Sequence, residues 1–185
     1  MKKHDAVEVM ALLLREYELR ARFASDRKKV ISEMGVNSED QGFLLSLNLE
    51  QLESQAKSLV IKRRAAVLRF TPNTWSRLGT NAKSSFQQYV DNSSWPRGYR
   101  RHLFDALCFC QFLKDRNQVG YVRSEHHWLS FLATNRCFSL CFANDLIIHE
   151  AEWYGIQYCV RAKGVAHRGA LRLKRRKRPT DRNRV

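Results

Sequence analysis

Proline is scarce in this 185-residue chain, with three residues, and glycine is not abundant, with eight. Neither collagen-like nor proline-rich linker architecture is compatible with that composition. Apolar runs stay far short of the roughly 20 residues that a membrane-spanning helix needs. Acidic residues are few, 18 against 33 lysines and arginines. The first residues, Met1–Asp5, lead into Ala6–Leu14, but Glu8 interrupts that stretch and charged residues follow without a small-residue cleavage site. This reads as a folded helix and not as a targeting segment.

Catalytic signatures are lacking too. There is no Gly-x-Ser-x-Gly, no phosphate-binding loop and no dinucleotide fingerprint. His149-Glu150 starts like a zinc-protease helix, but Trp153 stands where the second histidine belongs. Cys108-x-Cys110 and Cys137-x3-Cys141 depart from the paired Cys-x2-Cys of zinc ribbons. Cys159 makes the count odd, which suits reduced thiols in a cytoplasmic protein. The chain is therefore expected to hold no catalytic set, no metal and no cofactor of its own.

What is present is a core-forming chain, 44% hydrophobic with ten phenylalanines. Its +15 charge is uneven: residues 161–185 hold eleven basic residues against Asp181 alone. A nucleic-acid-binding protein is one reading of that excess. A solvated tail with non-specific affinity for polyanions is the plainer one.

Periodicity predicts a first helix over 5–24, with Val7, Met10, Ala11, Leu14 and Tyr17 on one face. A second runs from an Asp26 cap to Gly35, and a short third opens at Asn37. Asn48, with Gln51 three residues on, caps the clearest helix, whose stripe is Leu52, Ala56, Leu59, Val60, Val67 and Phe70. Lys62-Arg63-Arg64 reads as its solvated side, with Arg63 close to the apolar stripe. Thr71-Pro72 opens another helix, and Gly79 separates it from a further one. Tyr99–Lys114 is apolar nearly all round, as a central helix would be. Glu125–Thr134 is the last.

Beyond that, Arg136–Phe142, Leu146–Trp153 and Ile156–Lys163 read as strands, with Asn144-Asp145 and Tyr154-Gly155 as turns. Gly164 and Gly169 flank a turn before Ala170–Leu173. The predicted class is α+β: a helical bundle over 1–116, a small antiparallel β-rich module over 117–173 and a basic, disordered tail over 174–185.

The helical part has a cadence: Leu19-x-Arg-x-Phe23, Met34-Gly35, Leu47-x-Leu49-x-x-Leu52, Leu59-x-x-Lys62-Arg63, Leu78-Gly79, Phe86-x-x-Tyr89 and His102-x-x-Asp105-Ala106-x-x-Phe109-x-x-Phe112-Leu113. Over roughly residues 10–115 it resembles the small partner subunits of multinuclear non-haem iron enzymes that modify ribosomally made peptides, of the methanobactin-synthase type. The 3-thiaglutamate branch is the most similar. The resemblance implies a heterodimer with a TIM-barrel enzyme that holds the iron. The small subunit would bind the leader part of a substrate or carrier peptide ending in cysteine, and the barrel would excise the cysteine β-carbon.

An extended peptide can join a small sheet as an added strand. Leu146–Lys163 supplies the strands. Ile147, His149, Trp153, Tyr154, Arg161 and Arg168 are the candidate peptide-binding residues, the arginines as attraction for an acidic leader and the two aromatics either as anchors or as filling between sheet and helices.

Overall fold

The computed structural model describes residues 4–148 and 151–175. Helices fill the first two thirds and a three-stranded antiparallel sheet the end, so the class is α+β. The chain forms two compact units, Met1–Ala65 with Gln87–Trp95, and Ala66–Phe86 with Pro96–Val185. The expected division at 116/117 is not where these units part.

The first unit holds α1 (Ala6–Arg15), α2 (Tyr17–Ser25), α3 (Arg27–Glu33), α4 (Ser38–Leu45) and most of α5 (Leu49–Phe70). The single helix expected over 5–24 is broken at Glu16, whose backbone is extended. Arg20 holds the break: its guanidinium donates to the Leu13 carbonyl at 3.0 Å and to Glu53 at 2.7 Å, satisfying an end that α1 would otherwise expose. Asp26 caps α3 through Lys29 N, and Asn48 caps α5 through Gln51 N. Gly35 follows α3 with φ +62°. Val9, Leu13, Phe23, Val30, Ile31, Val36, Leu44 and Leu52 are the core.

Of Lys62-Arg63-Arg64, Arg63 is not solvated. It is 3% exposed and lies over the rings of Tyr89 and Trp95 at 5.0 and 5.8 Å. Its long stem and planar head pack like an apolar side chain while the charge faces aromatic density.

The second unit holds α6 (Pro72–Leu78), a short 3-10 turn, the start of α7 (Ala82–Asp91), α8 (Arg101–Asp115), α9 (Arg123–Ala133) and the sheet. Trp75, Phe86 and Phe109 make its aromatic centre, with Phe86 edge-on to Phe109 at 5.3 Å. α8 buries Leu103, Asp105, Ala106, Phe109, Cys110 and Leu113 and exposes Cys108, so it is amphipathic and not apolar all round.

The strands are β1 (Phe138–Ile148), β2 (Ala151–Ala162) and β3 (Val165–Arg175), in the order β1-β2-β3. Two expected turns are bulges instead. Asn144-Asp145 lies inside β1, where pairing slips between Ala143 and Leu146. Tyr154-Gly155 lies inside β2, where it slips opposite Leu173. Both keep the chain in the sheet while changing its twist. The turn into β3 is Lys163-Gly164, with φ +48° and +79° as a tight two-residue hairpin requires.

Gly169 is a strand residue, not a turn residue: a Cβ there would sit 2.3 Å from the Tyr158 ring that covers it. Lys174 and Arg175, assigned above to the tail, continue β3. The remainder of that basic segment, 176–185, lies outside the described residues.

Candidate functional site

The sheet has two chemically different faces because strand residues alternate. On one face stand Phe138, Leu140 and Phe142 of β1, Tyr154 and Tyr158 of β2, and Leu171 and Leu173 of β3, all exposed. The register sets Leu140 opposite Tyr158 and Leu171 opposite Ile156, which is opposite Phe142, so these share a side; Leu173 is the unpaired residue of the slip beside them. Among the described residues nothing covers this apolar face.

The other face lies against α9. His127 is hydrogen-bonded through Nε2 to Ser139 Oγ at 2.8 Å and through Nδ1 to the Cys159 thiol at 3.7 Å. Gln157 Nε2 donates to the same sulfur at 3.7 Å. Burial pushes the Cys159 thiol up, and it pulls the His127 imidazole down, helped by Arg123 and Arg136. Both shifts favour neutral partners over a thiolate–imidazolium pair. The arrangement joins sheet to helix.

Two buried carboxylates position the helices beside β3. Asp145, at the β1 bulge, accepts from the backbone N–H of Arg123 and Ser124 and so caps α9. Glu125, one turn into α9, accepts from Asn73 N at 2.7 Å, Thr74 N at 2.8 Å and Thr74 Oγ1 at 2.6 Å, and so caps α6. Burial raises the Glu125 carboxyl above the usual range, against the pull of these donors and of Arg168. Arg77 ties Glu152 at 2.8 Å.

A cleft of about 340 Å³ lies beside these caps, lined by Asn73, Ser124, Leu146, Gln157, Arg168 and Arg172, among others. Its two arginines are held by rings: Arg168 over Trp128 at 5.6 Å, Arg172 over Trp153 at 5.4 Å. Neither makes an ion pair with a described carboxylate.

The six candidate residues fall in different places. Arg168 lines this cleft, and Trp153 is half-buried beneath Arg172, which lines it too. Tyr154 is on the exposed apolar face. Arg161 is committed elsewhere: its Nη2 donates to the carbonyls of Phe131 and Thr134 at 3.2 and 3.0 Å, fastening β2 to the end of α9. Ile147 is in β1 opposite Glu152. His149 lies outside the described residues.

Arg172 escaped the sequence reading. The signal was Arg168-x-x-x-Arg172, a same-face pair on a strand, hidden by taking Gly169 for a turn. The Phe138, Leu140, Phe142 alternation was also legible as one exposed face.

Comparison of the chain with protein-family models, with curated proteins and with solved structures finds no match. Among the described residues no helix is long and apolar enough to cross a membrane. Nor, among them, is there a group of three or more His, Cys, Asp and Glu placed to hold a metal ion.

Proposed function

We propose that this chain is a non-catalytic partner subunit of a peptide-modifying enzyme. It binds the leader part of a substrate peptide on its C-terminal sheet. It docks on a TIM-barrel enzyme whose non-haem irons carry out the oxidative step, excision of a cysteine β-carbon in the 3-thiaglutamate branch. The complex works in the cytoplasm.

The observation that carries the peptide half is the sheet itself. β1 and β3 are edge strands, and among the described residues neither outer edge pairs with another strand. Native proteins usually protect such edges, and peptide-recognition domains use them. The large exposed apolar face beside the edges is of the kind that marks interaction surfaces. The barrel half rests on the resemblance of the helical residues alone.

The test is isolation of the tagged full chain from its native host at moderate salt, with iron analysis of the eluate. A stoichiometric barrel protein with more than one iron per complex is expected. Clean separation of the two co-expressed proteins on sizing at micromolar concentration overturns the reading. Recovery of nucleic acid alone, lost at higher salt, overturns it in favour of the polyanion role suggested by the charge of residues 161–185.

A further inference from the structure

We infer that the peptide bound at β3 is acidic and extended, with carboxylates four residues apart on the side facing Arg168 and Arg172 and apolar side chains between them on the other side. This rests on the peptide-binding reading above and specifies its ligand.

The choice of edge follows from regularity. From Ala162↔Val165 to Gly155↔Arg172, β3 pairs with β2 without a slip. β1 is interrupted between Ala143 and Leu146, and such a bulge turns an edge away from further pairing. Val165–Arg172 is therefore the longer regular template.

The choice of ligand follows from what stands on the two sides of that template. Arg168 and Arg172 share the side that lines the cleft. At roughly 3.3 Å per residue they are about 13 Å apart along the strand, the same repeat that separates residues four apart on an added strand. Each guanidinium is exposed, is steadied over an indole and has no described carboxylate as an ion-pair partner. A fork of N–H donors held in that way matches a carboxylate in two-point contact. The cleft beneath adds the polar groups of Ser124, Asn73 and Gln157. On the opposite side Leu171 and Leu173 are 58% and 65% exposed and offer apolar contact to the intervening residues.

The experiment titrates a ten-residue synthetic peptide into the isotope-labelled full chain and follows backbone amide shifts by NMR. The peptide alternates valine and threonine, with glutamate at its fourth and eighth positions. Controls are the same peptide with both glutamates replaced by glutamine, and a twelve-nucleotide oligothymidylate.

The expected result is shifts centred on Val165–Arg172 with the glutamate peptide. Binding should be about tenfold weaker for each of Arg168→Gln and Arg172→Gln, and weaker again for the glutamine peptide. Both arginines are exposed, so the variants should keep the parent melting temperature. If the glutamine peptide and the variants shift the same amides with undiminished affinity, the acidic preference is overturned while peptide binding stands. If only the oligonucleotide shifts β3, or if nothing does at millimolar peptide, the inference is overturned together with the peptide reading of this edge.

Discussion

Thr74 donates twice to Glu125, through its backbone N–H at 2.8 Å and its hydroxyl at 2.6 Å. A side chain from α9 thereby serves as the cap of α6, and it does so from a site only 2% exposed. Removing the hydroxyl by Thr74→Val should cost about 1 kcal/mol. Glu125→Gln should cost about 1–3 kcal/mol, because its amide cannot accept from all three donors and brings N–H groups of its own. The pH dependence distinguishes burial from hydrogen bonding as the stronger influence. The Glu125 carboxyl is raised above its ordinary 4.5 by burial, so the native state holds the proton more tightly than the unfolded chain does. Its contribution to stability is then largest below 4.5 and falls as pH rises through the raised value. Glutamine does not titrate. The stability gap between the parent and Glu125→Gln should be widest at acid pH and narrow toward neutrality, as read from urea midpoints. A gap that grows with pH would show the hydrogen bonds to dominate.

Two glycines of the sheet should differ in their tolerance of a methyl group. At Gly155 an added Cβ would lie 2.3 Å from the Leu171 carbonyl oxygen, and strand backbone cannot give way without losing pairing. At Gly169 the obstacle is the far end of the Tyr158 ring, also at 2.3 Å, and that side chain is 38% exposed and able to swing out. Gly155→Ala should cost about 1–3 kcal/mol and Gly169→Ala less than about 1 kcal/mol. Adding Tyr158→Ala should cancel the cost at Gly169 and leave that at Gly155. Equal costs at the two positions would contradict the packing described.

The same two glycines show where sequence reading stopped. Helix limits signalled by local chemistry were legible: Asp26 and Asn48 as caps, Gly35 as a stop, Pro72 as a first-turn residue. So was the α+β class. What failed was punctuation set by distant partners. Asn144-Asp145 looks like a turn locally, but Asp145 is held in a strand by the N-terminus of α9, more than 20 residues away in sequence. Gly155 and Gly169 look like turn residues, yet each lies within a strand, Gly155 against the Leu171 carbonyl and Gly169 beneath the Tyr158 ring. Once those breaks are removed, Arg168 and Arg172 fall on one strand, and half of the candidate site becomes readable. Glu125 carries no local signal at all, since its partners lie about 50 residues earlier.

Four of the five thiols should separate cleanly by reactivity, with the half-buried Cys141 between them. Cys110 and Cys159 are fully buried, and burial pushes the Cys110 thiol well above the ordinary value and raises the Cys159 thiol. Cys108 and Cys137 are exposed. The thiolate is the reactive form, so access and ionisation act together. A chromogenic disulfide reagent at pH 8 should modify Cys108 and Cys137 within minutes and reach Cys110 and Cys159 only at the rate of unfolding. Peptide mapping after timed quenching reads the order. Rapid labelling of Cys159 in the native chain would mean that the contact of His127 with β2 opens readily.

The outer face of the sheet makes the last prediction, because it separates fold from function. Leu140 and Leu171 are each 58% exposed, so folding removes little of their surface from water. Replacing both by serine should change stability by no more than about 0.5 kcal/mol each. It should nevertheless lower the binding of a hydrophobic dye and the retention on a hydrophobic-interaction column, since both sample the native surface. If the double variant instead unfolds, the face contributes to the core and is not a free surface. If it stays folded and dye binding is unchanged, the apolar surface presented by the chain is elsewhere. Folded protein with reduced dye binding is the expected result, and it would show that these two leucines supply exposed apolar surface without holding the fold together.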